Sequence, residues 1–212
     1  MLRRIWRENS LSIVLFGAFA LVFVGQVLTG HVEYNDEREE MGKVALPLLT
    51  YLTSGHFVEA TFENWESEFL QMAAYVLLTI WLRQKGSPDS KKLDEEEPFD
   101  KSSRKTAAYP PLKKFLYENS LSLVLLTLFV LSFGLHDAGV CVSYNEEQVA
   151  QGKETVSLMG FFGTSRFWFQ SFQNWQSEFL SVGMLVMLTV FLRQKGSPES
   201  KPVDAPNDKT GE

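Results

Sequence analysis

The sequence predicts an all-α membrane protein, with four transmembrane helices arranged as two tandem helix-loop-helix repeats and short interfacial helices in the outer loops. Three observations predict it. Leu11 to Gly30 (LSIVLFGAFALVFVGQVLTG) carries no charge over about the 20 residues that a bilayer core requires. Apolar and polar residues are segregated into blocks, with a second long apolar run at Leu121 to Leu135 and shorter ones at Phe69 to Leu82 and Phe179 to Leu192. Finally, the chain overlays itself without a gap when shifted by 110 positions.

The repeat is read from identities. ENSLS at Glu8 matches ENSLS at Glu118, and Tyr34-Asn35 matches Tyr144-Asn145. Gly42-Lys43 matches Gly152-Lys153, Asn64-Trp65 matches Asn174-Trp175, and SEFL and LRQKGSP recur whole. The first repeat covers 1–91, with helices at about 10–30 and 65–84. A linker follows at 92–111, and the second repeat covers 112–201, with helices at about 118–138 and 175–194. Linker and tail (202–212) are charged and poor in large apolar residues, so they cannot bury enough surface to offset the entropy of ordering; both are expected to be flexible.

The N-terminal MLRRIWRENS before an apolar run has the look of a secretory signal, but no A-x-A-like cleavage site follows and an equivalent run recurs internally. Two crossings per repeat return the chain to its starting side, so the repeats share one orientation. Arg3, Arg4, Arg7, Arg83, Lys85, Lys113, Lys114, Arg193 and Lys195 flank the apolar runs on one side, whereas the first hairpin loop is acidic (Glu33, Asp36, Glu37, Glu39, Glu40). The positive-inside bias puts both termini and the linker in the cytoplasm, and makes Arg83, Lys85, Arg193 and Lys195 membrane-interface anchors.

The outer loop is too apolar to be a plain connector: Leu48, Leu49, Leu52, Phe57, Phe62 and Trp65 fall within it. Ser54 can cap a short helix beginning near Gly55. Such a helix would lie at the headgroup level, or the loop would pack on the helix tops with those aromatics as a small core.

The duplicated motif then reads as start and stop marks for a membrane helix. Asn64 and Asn174 would be N-caps, Trp65 and Trp175 would sit at the interface, and Glu66 and Glu68 would favour the positive end of the helix dipole. Arg83 and Lys85 suit the C-terminal end, Gly86 the position beyond it, and Pro88 the stop. One distance resists this reading: from Glu68 to Arg83 a helix rises only about 22 Å, short of the ~30 Å hydrocarbon core. Glu68 and Glu178 are then also readable as carboxylates at the membrane edge facing the bundle interior, where such groups are usually functional. Tyr75 and Thr79 share the Glu68 face, but Leu185 replaces the tyrosine in the second repeat, so no continuous proton relay is drawn.

Asn9, Ser10 and Ser12, repeated at Asn119, Ser120 and Ser122, are candidates for hydrogen bonds between helices. The single cysteine, Cys141, excludes an internal disulfide and reads as a small buried residue. The net charge of −6 argues against a nucleic-acid partner. The three histidines lack metal-ligand spacing, and no nucleophile elbow, phosphate loop, HExxH or CxxC is present. No catalytic, cofactor-binding or metal residue is therefore named, and the expectation is a protein that is not an enzyme.

NW[EQ]SEFL, an apolar span and LRQKGSP[DE]S, with YLTSGHF upstream, resemble an uncharacterised bacterial integral membrane protein family known as a domain of unknown function. The second repeat departs at FFGTSRF, where Arg166 stands for the histidine. The resemblance implies a multi-pass protein of the bacterial cytoplasmic membrane and brings no catalytic residues. The expected partners are the lipid bilayer and either a second copy of the chain or another membrane protein. The expected role is non-enzymatic assembly or partner binding, and the alternative is a small proton- or cation-coupled carrier using Glu68 and Glu178.

Overall fold

The computed structural model describes residues 2–92 and 106–211; most of the expected linker lies outside them. The described residues form seven α-helices and no strand: α1 (Leu2–Glu40), α2 (Leu48–Tyr51), α3 (Gly55–Trp81), α4 (Pro111–Glu118), α5 (Ser120–Ala150), α6 (Leu158–Phe161) and α7 (Ser165–Phe191). α2 and α6, and likewise α3 and α7, stand 110 positions apart and have equal lengths.

Two helices, α1 and α5, are long and apolar enough to cross a membrane. Both run past their apolar stretches into segments expected to be loop. Glu and Arg are good helix formers and the first proline is Pro47, so nothing in VEYNDEREE stops α1. Gly42 does. At φ 71° it takes the left-handed conformation that closes a Schellman motif, with Lys43 N–H donating to the Arg38 carbonyl (2.7 Å) and Gly42 N–H to that of Glu39 (2.9 Å). Gly152 (φ 68°) closes α5 in the same way through Gln148 and Val149.

The other end of each long helix is broken by asparagine. Asn9 has φ −137° and ψ 17°, and its side-chain amide donates to the Ile5 carbonyl (3.2 Å). Asn119 (φ −114°, ψ 14°) separates α4 from α5 and donates to the Phe115 carbonyl (2.9 Å). These bonds are within one chain segment, not the interhelical bonds expected of Asn9 and Asn119; the short amide reaches its own preceding turn first.

The contacts gather the chain into two units, Met1–Thr61 with His136–Ser157, and Phe62–Leu135 with Leu158–Glu212. In the first, Gly55 and Gly139 let two helices meet backbone to backbone. A Cβ on Gly55 would lie 2.9 Å from the Gly139 carbonyl oxygen, and one on Gly139 would lie 2.6 Å from the Glu59 amide. Tyr51, at 1% exposure, is the centre of a loop core, with the rings of His31, Tyr34, His56 and Phe57 within 6 Å. Of the apolar residues expected in such a core, Phe57 joins it, whereas Leu48 and Leu49 are exposed (36% and 80%), and α2, rather than a helix starting at Gly55, is the short helix there.

In the second unit Phe133, Phe162 and Phe167 form another aromatic cluster, Phe162 stacked on Phe133 and Phe167, the counterpart of Phe57, edge-on to both. The tail is held by the residues after α7 and by the turn after α3. Arg193 donates to Ala205 O (2.8 Å) and Asn207 Oδ1 (2.9 Å), Lys201 Nζ to Asn207 O (2.9 Å), and Gly86 N–H to Thr210 Oγ1 (2.8 Å).

Candidate functional site

The start-mark reading of the motif is overturned. Asn64 and Asn174 are not N-caps: each lies well inside a helix, nine residues after Gly55 and Ser165, the first residues of α3 and α7. The caps are upstream, where Ser54 Oγ accepts from Phe57 N–H (3.2 Å) and Thr164 Oγ1 from Phe167 N–H (3.3 Å). From Gly55 onward no proline interrupts the helix, so the caps set its start and the motif falls in its middle. Glu66 and Glu68 are then beyond reach of the N-terminal dipole, which fades within the first turn. The short distance from Glu68 to Arg83 also loses its force, because α3, at 27 residues, is about 40 Å long.

What the motif does is join α3 to α7. Asn174 Nδ2 donates to Glu63 Oε1 at 2.7 Å, and Trp175 Nε1 donates to Glu66 Oε1 at 2.9 Å. Glu66 is 1% exposed, so its carboxylate is desolvated and the indole N–H supplies a charge-assisted bond in place of water. Edge-on packing of Phe172 on Trp175 (6.0 Å) braces that indole, and Phe62 packs on Trp65 in the same manner (5.2 Å). Neighbouring Ser67 and Ser177 turn their hydroxyls back onto the carbonyls of Asn64 and Asn174 (2.9 and 2.8 Å), which spares them from seeking partners elsewhere.

Glu63 and Glu66 went unremarked as partners at the level of sequence, although a signal was there. At the matching positions the second repeat carries Gln173 and Gln176, so at these two positions the acid stands in the copy whose carboxylates meet the other copy's donors. Glu68 and Glu178 fall at the midpoints of α3 and α7 and lie close enough for their charges to interact. Glu68 is exposed and Glu178 half-buried.

The stop marks are also more than a stop. α3 ends at Trp81, and Arg83 folds back to donate to the Ile80 and Leu82 carbonyls (3.2 and 3.1 Å), satisfying the helix end; Arg193 does the same to Val190 and Leu192. Lys85 and Lys195 remain exposed. Ser87 N–H closes a turn onto the Gln84 carbonyl with Gly86 at φ 85°, the arrangement of a type II turn, and Ser197, Gln194 and Gly196 repeat it. Ser90 and Ser200 hydroxyls accept from the Gln84 and Gln194 amides (2.9 and 2.8 Å), which is why the motif extends to its final serine.

A second duplicated device clasps the loop that follows each long helix. Asn35 accepts from Leu46 N–H (2.7 Å) and donates to Leu46 O (3.0 Å); Asn145 does both to Val156 (2.8 Å each). His31 also contacts Leu46 O (2.7 Å), and buried Cys141 takes the corresponding place in the second copy. Among the described residues no group of three His, Cys, Asp or Glu could hold a metal ion.

The fold and site thus define, over the described residues, an all-helical protein with two helices long and apolar enough to cross a membrane and two kinds of polar clasp, one joining α3 to α7 and one closing each loop. The chain belongs to a family described as a domain of unknown function (DUF6766), whose model matches residues 2–212. No curated protein and no solved structure matches it.

Proposed function

We propose that this chain is a non-enzymatic protein of the bacterial cytoplasmic membrane, crossing it four times as two tandem repeats with both termini cytoplasmic, and that it assembles with a second copy or another membrane protein. One observation carries the reading: the duplicated motif ties α3 to α7, Glu63 to Asn174 and Glu66 to Trp175, as a structural clasp does. The surface agrees with it. None of the most apolar window of α1 is buried within the chain, so Leu11, Phe16 and Leu21 are left for lipid or for a partner. The uninterrupted apolar stretches of α3 and α7 are shorter than that of α1 because their N-terminal halves hold the motif, yet each helix, at 27 residues, is long enough to span.

Crosslinking in native membranes followed by mass analysis tests this. Recovery of a discrete oligomer or a defined partner supports it, and a strict monomer with nothing co-purifying overturns it. The rival reading, a proton- or cation-coupled carrier, draws on the interacting charges of Glu68 and Glu178. Proteoliposomes loaded with a pH-sensitive dye decide between them: a flux abolished by Glu68→Gln with Glu178→Gln, at unchanged melting temperature, favours the carrier.

A further inference from the structure

The residues that precede each long apolar helix share a pattern that the clasps leave unexplained. α4 has Leu112, Phe115 and Leu116 on one face, at the i, i+3, i+4 spacing, and Lys113, Lys114 and Tyr117 on the opposite face. Shifted by 110, the start of α1 repeats it, with Ile5 and Trp6 for Phe115 and Leu116, and Arg3 and Arg4 for Lys113 and Lys114. The apolar faces are uncovered: Leu112 is 71% exposed, Phe115 and Trp6 each 55%. Each segment joins its apolar helix through an asparagine held out of helical geometry and tied back to the carbonyl four residues earlier, Asn9 to Ile5 and Asn119 to Phe115. A straight helix would carry the segment along the axis of the helix that follows; the break re-aims it.

We propose that these two segments, Leu2 to Glu8 and Pro111 to Glu118, are interfacial helices that dock on the anionic headgroup surface of the leaflet where α1 and α5 enter the membrane. The inference rests on the membrane reading above and adds the ligand class. Continuity supplies the place, because a segment joined directly to a spanning helix starts at headgroup depth, and the break at asparagine turns it off that helix's axis. Charge fixes the partner: the apolar faces enter the acyl boundary while Arg3, Arg4, Lys113 and Lys114 meet lipid phosphates. Three exposed contacts fit such a face: Arg4 holds Glu8 (2.8 Å), Lys113 lies 4.4 Å from the centre of the Tyr109 ring, and Tyr109 packs edge-on against Tyr117.

The test uses the full-length chain with Cys141→Ser, reconstituted in nanodiscs of phosphatidylcholine, alone or mixed with phosphatidylglycerol. Spin labels are placed at Phe115→Cys, Lys113→Cys and Leu126→Cys, and oxygen accessibility is read against that of a nickel chelate. The expected ratio is severalfold higher at Phe115 than at Lys113, the contrast growing when phosphatidylglycerol is present. With the label at Phe115, replacing Lys113 and Lys114 by glutamine should abolish the dependence on phosphatidylglycerol. Water-like values at Phe115 in both lipids, with Leu126 reporting bilayer interior, overturn the inference and leave the membrane reading standing. A contrast indifferent to phosphatidylglycerol also overturns the assignment to anionic lipid. Water-like values at Leu126 overturn the membrane reading, and the inference with it.

Discussion

The indole N–H of Trp175 donates to the carboxylate of Glu66 at 2.9 Å, and the acceptor is almost wholly removed from solvent. Removing only the donor should therefore be costly. Trp175→Phe keeps an aromatic ring and strips the bond, and the expected loss is about 1–3 kcal/mol, the worth of a hydrogen bond to a buried carboxylate. Glu66→Gln retains an acceptor oxygen and should cost less. Thermal unfolding in detergent measures both, and a Trp175→Phe melting temperature equal to that of the parent would remove the clasp from the account.

Asn35 holds both the amide and the carbonyl of Leu46, and Asn35→Ala frees the amide and leaves the carbonyl to His31. The expected result is a loop from 41 to 47 that exchanges its amides faster, with global stability lower by about 1–2 kcal/mol. Hydrogen exchange resolved by mass spectrometry reads the loop directly. Asn35→Asp keeps the acceptor and loses the donor, so protection should fall only part of the way.

Two glycine substitutions should move in opposite directions. Gly42 takes a positive φ of 71°, and an alanine there meets the left-handed penalty of about 1–2 kcal/mol. Gly17 is helical with nothing within 4 Å of its would-be Cβ, so Gly17→Ala should be neutral or stabilise by about 0.5–1 kcal/mol. Paired melting curves test the contrast, and a Gly42→Ala protein as stable as its parent would contradict the Schellman assignment.

Burial pushes the Tyr51 phenol above its ordinary value, with the charge of Glu33 adding to the effect. A phenol raised in the folded state holds its proton after the unfolded chain has released it. Its contribution is thus fully present below the unfolded value of about 10 and is lost as pH rises through the folded one. Stability should decline more steeply above pH ~10 in the parent than in Tyr51→Phe, which installs the residue that Phe161 already is in the second repeat. The difference in tyrosinate absorbance between the parent and Tyr51→Phe during alkaline titration separates this phenol from the other tyrosines.

Much of this architecture was already legible in the residues, because the interactions that encode it span only a few positions. The apolar run from Leu11 fixes a helix, the SEFL and LRQKGSP repeats fix the period, Ser54 marks a cap, and Gly86 marks a turn. The errors were local too. Asn64 has the chemistry of a cap, but the helix had begun at Gly55, since GHFVEATFE contains nothing to delay it. The acids of VEYNDEREE looked like loop, yet only Gly42 ends α1.

Which donor meets which carboxylate was beyond the reach of sequence. Glu63 and Asn174 stand more than a hundred positions apart, and their bond exists only because α3 and α7 pack in one register that brings the two motif copies side by side. Sequence by itself determined the helices, their duplication and the residues available for chemistry. Tertiary structure alone decided that Glu66 accepts from Trp175, and that Glu68 and Glu178 come close enough for their charges to interact, because a contact of 3 Å depends on how two surfaces interdigitate and not on the pattern along either one.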